Sequence, residues 1–186
     1  MRVITGIAKG RKLKTSKGLD VRPTSDRAKE SLFNVLGSRV VESRILDLFA
    51  GSGAIGIEAL SRGANRAVFV DSSPSSCRLV EENLRNTGLT ANAEILRHDT
   101  LGALRSLAGK GEKFDLIFLD PPYQKGFVAP TLEQAAGAGL LSEHGLIVVE
   151  HSRREPVPAS VGQFHVSRQL VFGDTLLSIY RRSENL

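Results

Sequence analysis

A chain of 186 residues that is 41% hydrophobic is sized for one domain with at most a small appendage. No apolar run approaches the roughly 20 residues that span a bilayer. The start, Met1-Arg2-Val3-Ile4-Thr5, lacks the apolar segment of a signal peptide, and the single cysteine, Cys77, excludes an intrachain disulfide and a cysteine-rich zinc site. A soluble cytoplasmic protein that acts as a monomer, without a metal, is the expectation.

The net charge of +5 is uneven: residues 1–30 hold nine Lys/Arg against three Asp/Glu, and the rest holds sixteen bases against seventeen acids. A basic arm on a near-neutral body fits nucleic-acid binding; the alternative is a solvated basic terminus.

The arm opens with Val3–Gly6 and Arg11–Thr15 around a turn at Lys9-Gly10, the pattern of a hairpin. In Arg22-Pro23-Thr24-Ser25-Asp26-Arg27, Pro23 keeps Arg22 extended. Thr24 or Ser25 can cap a helix over Asp26–Leu36, with Ala28, Leu32, Val35 and Leu36 on its apolar face and Gly37 at its end. Next comes the stretch that organises the chain, Arg44 to Glu58. Ile45, Leu46, Leu48 and Phe49 read as a buried strand that includes Asp47. Gly51-Ser52-Gly53 then makes a sharp turn, and a helix begins at Ala54. A strand feeding a glycine turn and a helix directs free backbone N–H groups at a ligand above the strand end. Gly51, Gly53 and Gly56 also match G-x-G-x-x-G, a pattern shared by several nucleotide-type cofactors.

Strands follow at Ala67–Val70, Ala93–Leu96, Phe114–Leu119 and Gly145–Glu150. They alternate with helices at Pro74–Asn86, around Leu101, Leu104 and Leu107, and at Val128–Ala138. Phe164–Val171 and Leu176–Arg181 meet at Gly173-Asp174 as an antiparallel hairpin. This order predicts an α/β doubly wound sheet. Ligands of such sheets bind beyond the carboxyl ends of the strands, where Asp71, Asp99 and Asp120 stand. Asp71 follows Gly51 by twenty residues, the spacing of a carboxylate that grips ribose hydroxyls. Asp99 suits a base amino group. The alternative for both is capping of the next helix. Ser72 and Thr100, beside them, complete the expected cofactor set with Asp47, Phe49, Gly51 and Gly53.

Asp120-Pro121-Pro122-Tyr123 is the sharper signal. The Asp120 carboxylate and the Pro121 carbonyl can accept two hydrogen bonds from one NH2 group, and Tyr123 offers a face on which a base can stack. Such a pair orients an exocyclic amine and offsets its developing positive charge. Asp120, Pro121, Pro122 and Tyr123 are the expected catalytic residues. His98 suits a partly buried structural role, and His144, His151 and His165 lack metal-ligand spacing. Cys77 is expected in a helix away from any strand end, which argues against carbon-5 pyrimidine chemistry.

These motifs resemble the class I S-adenosylmethionine-dependent methyltransferases of the amino type, with the glycine turn of residues 47–53 preceding the catalytic motif of residues 120–123. More narrowly, three stretches resemble the bacterial 16S ribosomal RNA guanine-N2 methyltransferases: Arg2-Val3-Ile4-Thr5-Gly6, the run from Arg22 to Asn34, and residues 120–123. The resemblance covers nearly the whole chain. It implies a seven-stranded sheet with strand seven antiparallel, and S-adenosylmethionine as cofactor. It implies 16S rRNA, naked or in an assembling small subunit, as partner, with residues 22–34 near the cofactor and target base. The expected organisation is a basic hairpin and helix at 1–36 on a methyltransferase domain at 37–186. Arg2, Lys9, Arg11, Lys12, Lys14, Arg22, Thr24 and Arg27 are the expected RNA contacts. Three other readings stay open: an adenine-N6 DNA or other RNA amino-methyltransferase, a nicotinamide-dependent oxidoreductase on the same glycine turn, and a non-enzymatic RNA-binding module.

Overall fold

A computed structural model of the chain describes residues 1–15, 25–122 and 126–183. Its first helix, α1 (Asp26–Leu36), starts at Ser25, whose extended backbone and side chain cap the Ala28 amide at 3.1 Å, and stops at Gly37 with φ of 55°. Then follow β1 (Arg44–Leu48), α2 (Ala54–Ser61), β2 (Arg66–Asp71), α3 (Pro74–Thr87), β3 (Ala93–Arg97), α4 (Thr100–Gly109), β4 (Phe114–Leu119), α5 (Val128–Gly137), β5 (Leu141–Ser152), β6 (Ser160–Val161), β7 (Phe164–Phe172) and β8 (Thr175–Arg182).

The strands form one sheet in the order β3-β2-β1-β4-β5-β8-β7-β6. The first five pair in parallel, and β8 runs antiparallel between β5 and β7. The chain winds from β1 towards β3, then restarts at β4 on the other side of β1. The switch point of this doubly wound sheet therefore lies between β1 and β4. The seven expected strands are present; the eighth is β6, a two-residue edge too short to leave a pattern in the sequence. β5 starts at Leu141 rather than Gly145, because Gly145 sits at a shift in register with β4. A Cβ at Gly145 would stand 2.8 Å from the Leu141 side chain and 3.1 Å from the Phe114 carbonyl, so the glycine marks a bulge within a strand, not its start.

Side chains alternate across the sheet into two cores. Ile45, Ala67, Phe69, Leu116 and Phe118 face α1, α2 and α3, while Leu46, Leu48, Val68, Ile117 and Leu119 face α4 and α5. None of the described helices is long and apolar enough to cross a membrane.

The basic hairpin pairs through one bridge, Arg2 with Lys12, and through the bonds Val3 N to Arg11 O and Leu13 N to Met1 O. Its Val3, Ala8 and Leu13 are buried in the same core as α1, α2 and α3, whereas Arg2, Lys9, Arg11, Lys12 and Lys14 are exposed. Beyond that short pairing, side chains of α2 take the hairpin's amides. The Glu58 carboxylate accepts from Ile4 N at 2.8 Å and Thr5 N at 3.1 Å, and Ser61 Oγ accepts from Ala8 N at 3.0 Å. Gly6 packs so closely on Ser61 that a Cβ would lie 1.7 Å from its carbonyl oxygen. Glu58 is itself buried, 3.5 Å from the buried Lys29 Nζ of α1 and bonded to Arg62 Nε at 2.8 Å. Burial pushes the Lys29 pKa down, and the Glu58 charge opposes that shift.

Candidate active site

Residues at the end of β1 leave the sheet in a strained turn. Phe49 has φ of +65°, a left-handed conformation unusual for a bulky side chain, and Gly51 and Gly53 follow at +56° and +76°. Ala50 N bonds to Val70 O at 2.9 Å, and Gly53 N returns to Ala50 O at 2.7 Å. A Cβ at Gly51 would meet nothing nearer than the Phe49 carbonyl at 3.9 Å, so a ligand can approach the backbone there. Gly56 serves packing instead: a Cβ would stand 2.3 Å from the Phe69 ring, and its absence lets α2 lie close on β2. Asp47, fully buried under α2, accepts the Gly56 amide at 3.1 Å. Burial, with the Asp71 charge adding to it, pushes the Asp47 pKa up to about 7.

Asp71 ends β2 and braces the turn. Its Oδ2 accepts from Gly51 N at 2.9 Å, and its Oδ1 accepts from Ser73 N at 2.8 Å. Each carboxylate oxygen keeps a lone pair for a ligand hydroxyl. Ser73, not Asp71, caps α3, so the capping alternative does not hold for Asp71. It holds for Asp99, which is exposed and caps α4 through Gly102 N at 2.8 Å. Ser72 is exposed, and Thr100 is the first residue of α4. His98 is exposed rather than partly buried. Its ring lies over the first turn of α4, in space left by Gly102, where a Cβ would fall 1.8 Å from the ring. Cys77 also departs from expectation: it lies in the first turn of α3, with Sγ 3.5 Å from Asp71 O at the end of β2. Burial pushes its thiol pKa up, which keeps it a poor nucleophile. The thiol's environment, and not its distance from the strand ends, is thus what disfavours carbon-5 chemistry.

Leu48 pairs with Leu119, so the turn after β1 and Asp120-Pro121 after β4 leave the sheet side by side at the switch point. Asp120 is partly exposed, Pro121 buried and Pro122 exposed. Burial, the Glu150 charge on neighbouring β5 and the Asp47 charge push the Asp120 pKa well above the usual carboxylate range. Tyr123, Arg22 and Thr24 lie outside the described residues. The hollow lined by Leu36, Ser43, Asp115 and His144, about 300 Å³, lies at the opposite, amino ends of the strands.

The basic residues differ in how far they are committed. Arg11 donates to Asn86 O at 3.1 Å and Lys14 pairs with Glu82, both on α3. Lys9, Lys12 and Arg27 are exposed, and Arg2 is held by its backbone, which takes Lys29 Nζ at 2.6 Å. Sequence reasoning missed three buried polar residues: Glu58 and Asn83, which tie these parts together, and Glu150, whose charge acts on Asp120. The available signal for Glu58 and Asn83 was a lone polar residue within an apolar helix face.

A mostly parallel doubly wound sheet with this strained glycine turn, an acid at the next strand end and Asp-Pro-Pro across the switch point defines a class I methyltransferase with S-adenosylmethionine as cofactor. The chain belongs to the family described as "Conserved hypothetical protein 95", whose model matches residues 1–181. A Bacillus subtilis protein, YlbH, provisionally named an rRNA methyltransferase, is 42% identical over 98% of this chain and 99% of its own. Ribosomal RNA small subunit methyltransferase D of Escherichia coli is 34% identical over 98% of this chain and 90% of its own. Among solved structures, the Escherichia coli protein yhhF, titled provisionally as a methyltransferase, matches with a TM-score of 0.85 and 34% identity over 98% of this chain and 97% of that one.

Proposed function

We propose that this protein transfers the methyl group of S-adenosylmethionine to the exocyclic N2 amine of a guanine in 16S ribosomal RNA, naked or in an assembling small subunit, in the cytoplasm. The observation that carries this is the adjacency of Asp120-Pro121 to the glycine turn across β1 and β4. It is supported by the small-subunit rRNA methyltransferase name borne by a relative 34% identical to this chain. Residues 1–36 are read as the RNA-binding appendage and residues 37–186 as the methyltransferase domain.

The residues present fit the cofactor. Gly51 leaves its approach open and Asp71 keeps lone pairs for ribose hydroxyls. Asp47, Phe49, Gly53, Ser72, Asp99 and Thr100 are assigned to the same binding edge. Bound there, S-adenosylmethionine supplies an electrophilic sulfonium methyl. The chain's own contribution is positioning and proton handling. The Asp120 carboxylate and the Pro121 carbonyl accept both N–H groups of the amine and hold its nitrogen facing the turn. As positive charge develops on nitrogen, the Asp120 carboxylate offsets it and then takes the proton. Its raised proton affinity, from burial beside Glu150 and Asp47, makes it a stronger base for that step. Tyr123 stacks on the flipped guanine.

The test is incubation with methyl-labelled S-adenosylmethionine and small-subunit particles from cells lacking this enzyme, followed by mapping of the label. Label on a guanine N2 of 16S rRNA supports the reading. Label on an adenine N6 overturns the base assignment, and no label on either the particles or naked 16S rRNA treated alike overturns the substrate.

A further inference from the structure

Asn83, on the core-facing side of α3, has a fully buried side chain that bridges two distant segments. Its Oδ1 accepts the Lys14 amide at 2.8 Å, while its Nδ2 donates to Lys14 O and to Ser52 O, both at 2.9 Å. Both donors of the carboxamide, and an acceptor site, are thus used between the hairpin and the glycine turn. Lys14 lies at the end of the hairpin's second arm. Ser52 is the residue between Gly51 and Gly53, and its carbonyl belongs to the peptide whose N–H, at Gly53, closes the turn on Ala50. Side chains therefore hold the turn's backbone at two points, the Gly51 amide by Asp71 and the Ser52 carbonyl by Asn83. Only the second point is shared with the arm. Two further contacts run the same way: Met1 Sδ lies 4.0 Å from Ser52 Oγ, and the Arg11 side chain bonds to Asn86 O, one turn on from Asn83.

A buried amide with its donors spent on two segments cannot follow one without loosening its hold on the other, since an unmade buried hydrogen bond is costly. We infer that Asn83 is a positioning residue that couples the basic arm to the cofactor turn, so that RNA held by the arm and cofactor held by the turn strengthen each other's binding. This rests on the reading of the arm as the RNA-binding element. Coupling of this kind is reciprocal, and typical magnitudes run from about 5-fold to 150-fold in affinity.

The experiment measures the dissociation constant of S-adenosylhomocysteine with and without saturating unmodified small-subunit particles, and particle affinity with and without S-adenosylhomocysteine. The wild-type chain should show the same gain, about five-fold or more, in both directions. Asn83→Leu should bring both ratios to about one while still binding each partner separately. Lys14→Pro removes the amide that Asn83 accepts and, like Lys14→Ala, the ion pair with Glu82, and it should lose the coupling as well. Lys14→Ala keeps that amide and should retain the ratio. This pair decides the matter if Asn83→Leu fails to fold. A folded Asn83→Leu with the wild-type ratio, or equal ratios in Lys14→Pro and Lys14→Ala, overturns the coupling role. A wild-type ratio of one with tight particle binding also overturns it and leaves the arm's role standing. Particles that bind equally well after neutralisation of the arm overturn the reading of the arm itself, and the coupling with it.

Discussion

The Asp71 carboxylate holds the Gly51 amide of the neighbouring strand's turn at 2.9 Å, so one side chain both shapes the turn and faces the space above it. Asp71→Ala removes that brace, the Ser73 hydrogen bond and the acceptors assigned to the ribose. Hydrogen bonds to a charged group are worth roughly 1.5–3 kcal/mol each. S-adenosylhomocysteine affinity should therefore fall ten-fold or more, and Asp71→Asn, which keeps one acceptor oxygen, should fall between. Calorimetric titration reads this directly; an unchanged dissociation constant in folded Asp71→Ala removes Asp71 from the cofactor site.

Glu58 joins the hairpin, α1 and α2, accepting from Ile4, Thr5 and Arg62 beside the buried Lys29 ammonium. Glu58→Ala leaves two amides without their acceptor and that ammonium, still bonded to Arg2 O, without its nearest carboxylate. Breaking a buried pair from one side costs about 3–5 kcal/mol. Denaturant unfolding should register a loss of that order. Lys29→Met together with Glu58→Ala should recover part of it, because no buried charge is then stranded. A double variant no more stable than Glu58→Ala alone would show that the ammonium is not the source of the loss.

How far the sequence could be read depends on the length scale of each feature. Strands β1, β2, β3 and β4 each carry a short apolar run, interrupted once in β1 by Asp47, in β3 by Glu94 and in β4 by Asp115, and α1 has both its cap and its stop in Ser25 and Gly37. Such local signals survive without tertiary information. Gly145 misled the start of β5 because a glycine at a bulge and a glycine at a turn look alike until the partner strand is present. The glycine turn and Asp71 were legible as candidate site residues because their spacing follows from one strand–turn–helix unit. Asn83 and Glu150 were not, since their partners come from segments far apart in the chain or from a neighbouring strand. The exposure of His98 depended on Gly102, whose missing Cβ makes room for the ring.

The arm should carry RNA affinity and not cofactor affinity. Lys9 and Lys12 are exposed, whereas Arg11 and Lys14 already have partners on α3. Neutralising Lys9 and Lys12 should therefore lower the log–log salt slope of particle binding by about 0.9 for each phosphate no longer neutralised, taking the B-DNA value, and so by at most about 1.8. S-adenosylhomocysteine binding alone should stay at the wild-type value. A salt slope equal to wild type makes the arm a solvated terminus.

Asp47 should leave a mark on the pH dependence of stability. Its pKa is raised to about 7 in the folded protein, against about 3.9 in an unfolded chain. The folded state therefore binds more protons between those values. The stability Asp47 contributes is full below about pH 4 and is lost as pH rises towards 7. Asp47→Asn keeps an acceptor for the Gly56 amide but does not titrate. The stability difference, variant minus wild type, should climb from pH 4 to pH 7 and then level off. A flat difference across that window, followed by thermal unfolding, would mean that Asp47 titrates in the ordinary carboxylate range.

Asp120 and Tyr123 are the residues proposed to separate this enzyme from other users of a glycine turn. Asp120→Ala removes one of the two acceptors assigned to the amine and the group assigned to its proton. By comparison with removal of a single oxyanion-hole donor, single-turnover methylation should fall roughly 10²–10³-fold. S-adenosylhomocysteine affinity should change far less, because the turn is braced by Asp71 and Asn83 rather than by Asp120. Asp120→Asn keeps an acceptor oxygen but is a much weaker base, so it should orient the amine yet remain slow. Tyr123→Phe retains the ring and should keep most activity. Tyr123→Ala would lose the stacking face proposed for it, worth roughly 1–3 kcal/mol per base, and should be badly impaired. If Tyr123→Phe is as inactive as Tyr123→Ala, the hydroxyl acts chemically and stacking is not its role. If Asp120→Ala keeps the wild-type single-turnover rate on small-subunit particles, residues 120–123 are a strand-end turn, and the amine is held elsewhere.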